Sequence, residues 1–195
     1  MGLREVKAER TRRSILKAAF DLFEREGYDG ATMEEVAAAA EVGTSTLYRY
    51  FPSKVDLLLT PVAQWNDHLA AGLATRPAGE PILESLRQVV LDYLRQVEVE
   101  ADFVAQLRRL VEAAPIARAG LWDVYSQEQA ALVRAVADRM GMKPTEPRAV
   151  LAAYLAMSVV QICLEASWTD PEAVPTAVAE QYFAAIRNGE LSLLA

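Results

Sequence analysis

The chain has 195 residues, a net charge of −7 and a hydrophobic share of 52%. It is long and apolar enough for one compact domain, or a small module joined to a larger one, and is not a disordered chain. One Cys and one His exclude a disulfide framework and a Cys/His zinc site, so no metal or other cofactor is expected.

The N-terminus, MGLREVKAERTRR, lacks the apolar core of a signal peptide. The longest charge-free run, Ala149 to Leu164, is shorter than the roughly 20 residues a membrane-spanning helix needs. The expectation is a soluble cytoplasmic protein that does not engage a membrane. Charge is unevenly spread. Up to Leu59 there are nine Lys/Arg against ten Asp/Glu, and the remainder has eleven against seventeen. Arg4, Lys7, Arg10, Arg12, Arg13 and Lys17 face only Glu5 and Glu9, so a basic patch survives at the N-terminus of an acidic chain.

In chain order, Ile15, Ala18, Ala19, Leu22 and Phe23 repeat with helical spacing and form one apolar face. Gly27 is a candidate left-handed helix stop, with Tyr28 packing back. Thr32 followed three residues later by Glu35 is a capping box, so a second, Ala-rich helix starts there and ends near Glu41-Val42-Gly43. A third helix over Thr44 to Tyr50 follows at once, stopped by Pro52, and Ser53 caps a fourth beginning at Lys54. Beyond it the pattern predicts helices over Ile82–Val97 and Ala101–Ala113. A long one is bracketed by Pro115, Gly120 and the Gly141–Pro147 stretch, and Ala149–Trp168 is apolar nearly all round. A last helix is opened by Asp170-Pro171 and closed by Asn188-Gly189, with Pro175 kinking it or delaying its start. The fold class is all-α with about nine helices.

Two short helices joined by a tight turn are a helix-turn-helix arrangement. Leu47 and Phe51 lie four apart and should anchor the second of these helices against Val36, Val42 and Leu58. Thr44, Ser45, Tyr48 and Arg49 fall on its other faces. Hydroxyls and Tyr reach phosphates, and Arg can read guanine in a major groove. Lys54, in the first turn of the next helix, adds positive charge where helix N-termini already attract phosphate.

The stretch from Arg10 to Leu59 resembles the N-terminal domain of the TetR family of bacterial transcriptional regulators. The resemblance rests on Gly27-Tyr28, Thr32-x-x-x-Val36-Ala37, Thr46-Leu47-Tyr48-x-Tyr50-Phe51 and Ser53-Lys54-x-x-Leu57. It implies a homodimer with three DNA-binding helices in each chain and a larger helical domain that binds an effector. It also implies that Thr32, Thr46, Tyr48, Tyr50 and Lys54 contact DNA, while Thr44, Ser45 and Arg49 vary with the operator. Tyr50 is assigned equally to DNA or core. Two positions depart from the family pattern: Glu41 stands where Gly is usual in the turn, and Gly43 where a Ser caps the recognition helix. A left-handed Glu41 would cost about 1 kcal/mol.

These readings divide the chain into a DNA-binding domain, 1–53, and an effector-binding and dimerisation domain, 54–195. The Arg139–Pro144 turn and its flanks resemble the branch described as acyl-CoA-like ligand binding. Trp65, His68, Tyr93, Phe103, Trp122, Tyr125, Tyr154, Gln161 and Trp168 are candidates to line an apolar effector pocket with a few polar groups. Val174, Val178, Tyr182 and Ile186 form a stripe, and Ala152, Ala153, Ala156 and Val160 are small enough for close helix contact. Paired with symmetry mates, the two helices would make a four-helix dimer seam.

The leading reading is a repressor released from a roughly palindromic operator by a small hydrophobic or acyl-CoA-like effector. The alternative is a helical carrier or enzyme with a vestigial DNA-binding motif. No nucleophile–base pair or Gly-rich phosphate loop supports that alternative. Cys163 reads as a small core residue, and Glu98, Glu100 and Asp102 as a helix junction.

Overall fold

A computed structural model describes residues 2–170 and 172–189. The described residues form α1 (Leu3–Gly30), α2 (Met33–Ala39), α3 (Thr44–Tyr50), α4 (Lys54–Thr75) and α5 (Ile82–Val99), followed by α6 (Ala101–Ala113), α7 (Pro115–Met140), α8 (Pro147–Thr169) and α9 (Pro175–Arg187). They contain nine helices and no strand, so the all-α expectation holds. The chain divides into two compact units. One comprises Met1–Val62 with Asp102–Asp123, the other Ala63–Ala101 with Val124–Ala195. Both α4 and α7 contribute to each unit.

In the first unit the apolar stripe of α1 meets Val36 of α2, Leu47 and Phe51 around α3, and Leu57 and Leu58 of α4, all fully buried or nearly so. This core is extended by α6, whose Phe103 ring packs 4.9 Å from Phe20 while Gln106 Nε2 donates to the Phe20 carbonyl at 3.4 Å. The amphipathic pattern of α6 predicts a buried face but not which core it covers. In α7, Gly120 lies within the helix instead of bounding it. A Cβ there would stand 2.8 Å from Leu59 Cδ1, so the glycine permits close helix approach. The stop at Gly27 has φ 76° and ψ 164°, so it is not left-handed helical. It is an extended conformation open mainly to glycine, and it turns the buried Tyr28 ring to within 5.5 Å of Phe23.

In the second unit α9 packs on α5 and α8, burying Pro175, Ala179 and Phe183. Arg87 of α5 pairs with Glu180 of α9. The α8 helix spans 23 residues and is long and apolar enough, by length and composition, to cross a membrane, yet Ala149, Ala153, Ala156 and Cys163 are buried in this unit. The last helix starts later than Asp170-Pro171 predicts. Asp170 instead closes α8, its N–H donating to the Ala166 carbonyl, and its Oδ1 accepts from Glu172 N–H in a local turn. Pro175 then takes the first helical position, where its missing N–H costs nothing. Pro171 itself lies outside the described residues. A Schellman closure ends α7 at Gly141 (φ 64°), with Met142 N–H on the Ala137 carbonyl and Gly141 N–H on that of Asp138.

Candidate nucleic-acid interface

The turn between α2 and α3 is built from backbone alone. Val42 N–H donates to the Ala37 carbonyl at 3.0 Å and Glu41 N–H to that of Ala38 at 3.1 Å, the same closure that Gly141 makes. Its left-handed position is occupied by Glu41, φ 55°, an exposed residue in a conformation that disfavours any side chain with a Cβ. Gly43 then caps α3 without a side chain, its carbonyl accepting from Leu47 N–H at 3.0 Å.

On this short helix Leu47 is fully buried and Phe51, just past its end, is 1% exposed. Those two anchors present the opposite side. Thr44, Ser45 and Arg49 are exposed, Tyr48 is 44% exposed, and Thr46 and Tyr50 are half-buried. The Arg49 guanidinium lies 5.6 Å from the Tyr50 ring centroid. Tyr50 therefore neither enters the core nor stands free; it forms a platform for the guanidinium next to it.

Two of the expected contact residues are engaged inside the protein. Thr32 caps α2: its hydroxyl accepts from Glu35 N–H at 3.2 Å and donates to Glu35 Oε2 at 2.6 Å. Hydrogen bonds from the Thr32 hydroxyl and then its backbone N–H hold the Glu35 carboxyl below the ordinary range. The Lys54 ammonium donates to the Tyr28 carbonyl at 2.5 Å and the Ala31 carbonyl at 2.9 Å, and it sits 4.5 Å over the Tyr28 ring. It fastens the start of α4 to the α1–α2 connection, which spacing in the sequence could not reveal.

Sequence reasoning placed Arg12 in the N-terminal basic patch and missed its contact with α3. Its guanidinium lies 5.0 Å over the Phe51 ring, at the end of α3. The signal was present: position 12 falls three before Ile15, on the stripe that is otherwise apolar.

The effector candidates are distributed over both units. Phe103 and Trp122 belong to the first, with Trp122 73% exposed. In the second, Tyr93 is buried, Trp65 half-buried, and His68, Tyr125, Tyr154, Gln161 and Trp168 exposed to varying degrees. Gln161 donates to Glu165 of its own helix at 2.9 Å. Burial first, then Tyr125 and Glu128, pushes the Tyr93 phenol well above its ordinary pKa, so these three residues share one neighbourhood. Glu128 was not among the sequence candidates. It lies four and eight residues before Leu132 and Val136, a carboxylate on the buried stripe of α7.

A cleft of about 470 Å³ lies elsewhere in this unit, lined by Leu73, Ala74, Arg76, Ala78, Ala135, Asp138 and Arg139, and none of the nine candidates lines it. Arg139 donates to the carbonyls of Arg76 at 3.1 Å, Glu80 at 3.2 Å and Pro77, closing the end of α4.

Of the seam candidates, Ala156 and Val160 are buried within the single chain, and Ala152, Val178 and Ile186 are half-buried. Tyr182 is exposed, as are Val174 beside it and Leu151 and Tyr154 on α8. The small residues of α8 thus serve packing within the chain, and larger apolar side chains face outward.

Two family profiles match this chain, "Bacterial regulatory proteins, tetR family" over residues 15–60 and "MftR C-terminal domain" over residues 80–190. The chain is 33% identical over 168 residues to the HTH-type transcriptional regulator TcmR of Streptomyces glaucescens, covering 82% of this chain and 74% of that protein. It is 30% identical over 146 residues to the HTH-type transcriptional repressor KstR of Rhodococcus jostii (strain RHA1), covering 74% and 67%. Its fold is similar to that of the transcriptional regulator FadR from Bacillus subtilis, solved in complex with stearoyl-CoA (TM-score 0.61, 14% identity, 89% of this chain and 96% of that one). With a helix-turn-helix anchored by Leu47 and Phe51, and matches across both halves, the chain belongs to the TetR family of bacterial DNA-binding transcriptional regulators.

Proposed function

We propose that this protein is a cytoplasmic homodimeric repressor, without catalytic activity, whose two α3 helices enter successive major grooves of a roughly palindromic operator. One observation carries the reading: α3 shows Thr44, Ser45, Tyr48 and Arg49 to solvent while Leu47 and Phe51 lock it from behind. Thr46 and Tyr50 border that surface. Thr32 and Lys54 act chiefly by fixing the backbone around it. Residues 1–53 carry the DNA-binding function, and 54–195 carry effector binding and dimerisation. The dimer seam uses the outward apolar side chains Leu151, Tyr154, Val174, Val178 and Tyr182, with Ile186 and Ala152 at its edge.

A small hydrophobic or acyl-CoA-like effector binds among the second unit's helices near Tyr93, Tyr125 and Glu128. The fold shared with FadR, and the resemblance around Arg139–Pro144, support that class. The effector acts only insofar as it binds the DNA-competent and released states unequally, a coupling of about 1–3 kcal/mol. Of the two helices common to both units, α4 and α7, α4 follows the helix-turn-helix directly and is the covalent route for that coupling.

The reading is tested by fluorescence anisotropy with genomic fragments that the protein selects. Tyr48→Phe is expected to weaken operator binding with an unchanged melting temperature, and affinity is expected to fall steeply with salt. Salt-independent binding overturns the DNA reading. Stearoyl-CoA is expected to release the operator and alter Trp fluorescence; no response to it or to other hydrophobic compounds overturns the effector class.

A further inference from the structure

The cleft at the end of α4 has no part in the function proposed above. Its volume of about 470 Å³ falls within the range of about 300–1,000 Å³ that small-molecule sites occupy. It lies wholly in the second unit. Leu73, Ala74, Ala78 and Ala135 give it an apolar wall, and its polar lining is Arg76, Asp138 and Arg139.

The two arginines differ in their counter-charges. Arg76 has one: its Nε donates to Glu80 Oε2 at 2.8 Å and its Nη2 to Glu80 Oε1. The same carboxylate accepts from the Ser85 hydroxyl at 2.7 Å, so it is fully engaged. The Arg76 Nη1 remains uncommitted among the described residues. Arg139 has no acidic partner. Its Nη1 and Nη2 donate to the carbonyls of Arg76, Pro77 and Glu80, which satisfy hydrogen bonds but carry no full charge. Its Nε is buried without a hydrogen-bond partner among the described residues. Arg76, Arg139 and Glu80 together leave one positive charge in the cleft that none of the three cancels. Asp138 is exposed, so water screens its charge. A guanidinium withdrawn from water without an anion opposite it is unfavourable, and a bound carboxylate removes that cost.

We propose that this cleft is a second ligand site, separate from the effector site near Tyr93, and that it takes a small organic acid with one carboxylate and an apolar body. The carboxylate accepts from the Arg76 Nη1 and lies within the field of Arg139, while the body rests on Leu73 and the three alanines. Planar guanidinium groups match a carboxylate better than a spherical anion. Asp138 selects against a second anionic group, and the uncancelled positive charge selects against an amine.

The test is ligand-observed NMR on the full-length protein with benzoate, butyrate, the neutral benzamide and the dianion phthalate. The wild type is expected to bind benzoate and butyrate saturably, and benzamide and phthalate about tenfold more weakly than benzoate. Arg76→Gln and Arg139→Gln should each weaken benzoate by about tenfold, and Arg139→Lys should recover part of the loss because it keeps the charge. Asp138→Asn should restore phthalate binding, and Arg118→Gln, in the first unit, should change nothing. Melting temperatures identify any variant whose loss of binding follows from unfolding; Asp138→Asn, on an exposed side chain, keeps the inference testable where the arginine variants fail to fold. Equal binding of benzoate and benzamide overturns the inference. So does wild-type affinity for benzoate in both arginine-to-glutamine variants, and so does the absence of saturable binding of either acid. Loss of the stearoyl-CoA response together with benzoate binding in a folded Arg76→Gln would merge the two sites and overturn the claim of a second one. Failure of stearoyl-CoA to release the operator from the wild type overturns the effector class alone and does not bear on this cleft.

Discussion

The side chains expected to meet DNA stand on α3, seven consecutive residues held from behind by Leu47 and Phe51. In the second unit the candidate ligand residues come from four helices, α4, α5, α7 and α8, and only Tyr93 is deeply buried among them. The first surface depends on a small rigid backing, and its polar side chains can change without disturbing that backing. The second depends on the relative placement of helices far apart in sequence, so it should respond to packing changes and to a ligand. A regulator needs both: a reading head that keeps its shape and a domain that can shift between states.

The comparison is broken most directly at Phe51. Phe51→Ala removes the buried anchor of α3, and a loss of about 3–5 kcal/mol is expected in equilibrium unfolding. Its DNA affinity should fall with it, whereas Tyr48→Phe separates the two readouts. A retained melting temperature in Phe51→Ala would show that α3 is not fixed from behind.

Two glycines set the contrast next. A Cβ at Gly72 would meet Val89 Cγ1 at 2.5 Å, and at Gly120 it would meet Leu59 Cδ1 at 2.8 Å. Val is stiff at χ1, so Gly72→Ala should cost about 1–3 kcal/mol in the second unit. The Leu59 methyl is the end of a more flexible side chain, so Gly120→Ala should sit near neutrality because the helix gains about 1 kcal/mol in propensity. Paired thermal melts measure both.

Glu41→Gly relaxes the left-handed turn residue and should stabilise the protein by about 1 kcal/mol. An unchanged melting temperature would show that the surroundings already compensate for Glu41.

The smallest effect is acid sensitivity. Arg76 and then Ser85 hold the Glu80 carboxyl at about 2, and Arg87 and then Gln88 hold that of Glu84 at about 2, both below the ordinary 4.5. Depressed values mean that their contribution is complete above about pH 4.5 and is lost as pH falls towards 2. A Glu80→Gln/Glu84→Gln variant should lose less stability than the wild type across that interval. Carboxyl NMR titration reads the two values directly.

How much of this was legible in the sequence differs between the units for the same reason. The capping box at Thr32, the α3 boundaries, the anchors Leu47 and Phe51 and the suspect turn residue Glu41 are set by neighbours within a few positions. The delayed start of α9 at Pro175 is likewise a local consequence of proline at a first helical position. Spacing could not show that Lys54 reaches back across more than twenty residues to the Tyr28 carbonyl, or that Arg12 covers Phe51.

The amino-acid sequence by itself determined most of the helix spans, the Thr32 cap and the buried anchors of α3, because backbone hydrogen bonding and apolar periodicity act over a turn or two of chain. Tertiary structure alone decided that α6 joins the core of α1–α3, that Glu128 lies beside Tyr93, and that the small residues of α8 are consumed inside the chain while Leu151 and Tyr182 face outward. Those outcomes depend on which amphipathic face meets which. Most of these helices carry an apolar stripe and α8 is apolar nearly all round, and neither pattern names the partner it is buried against.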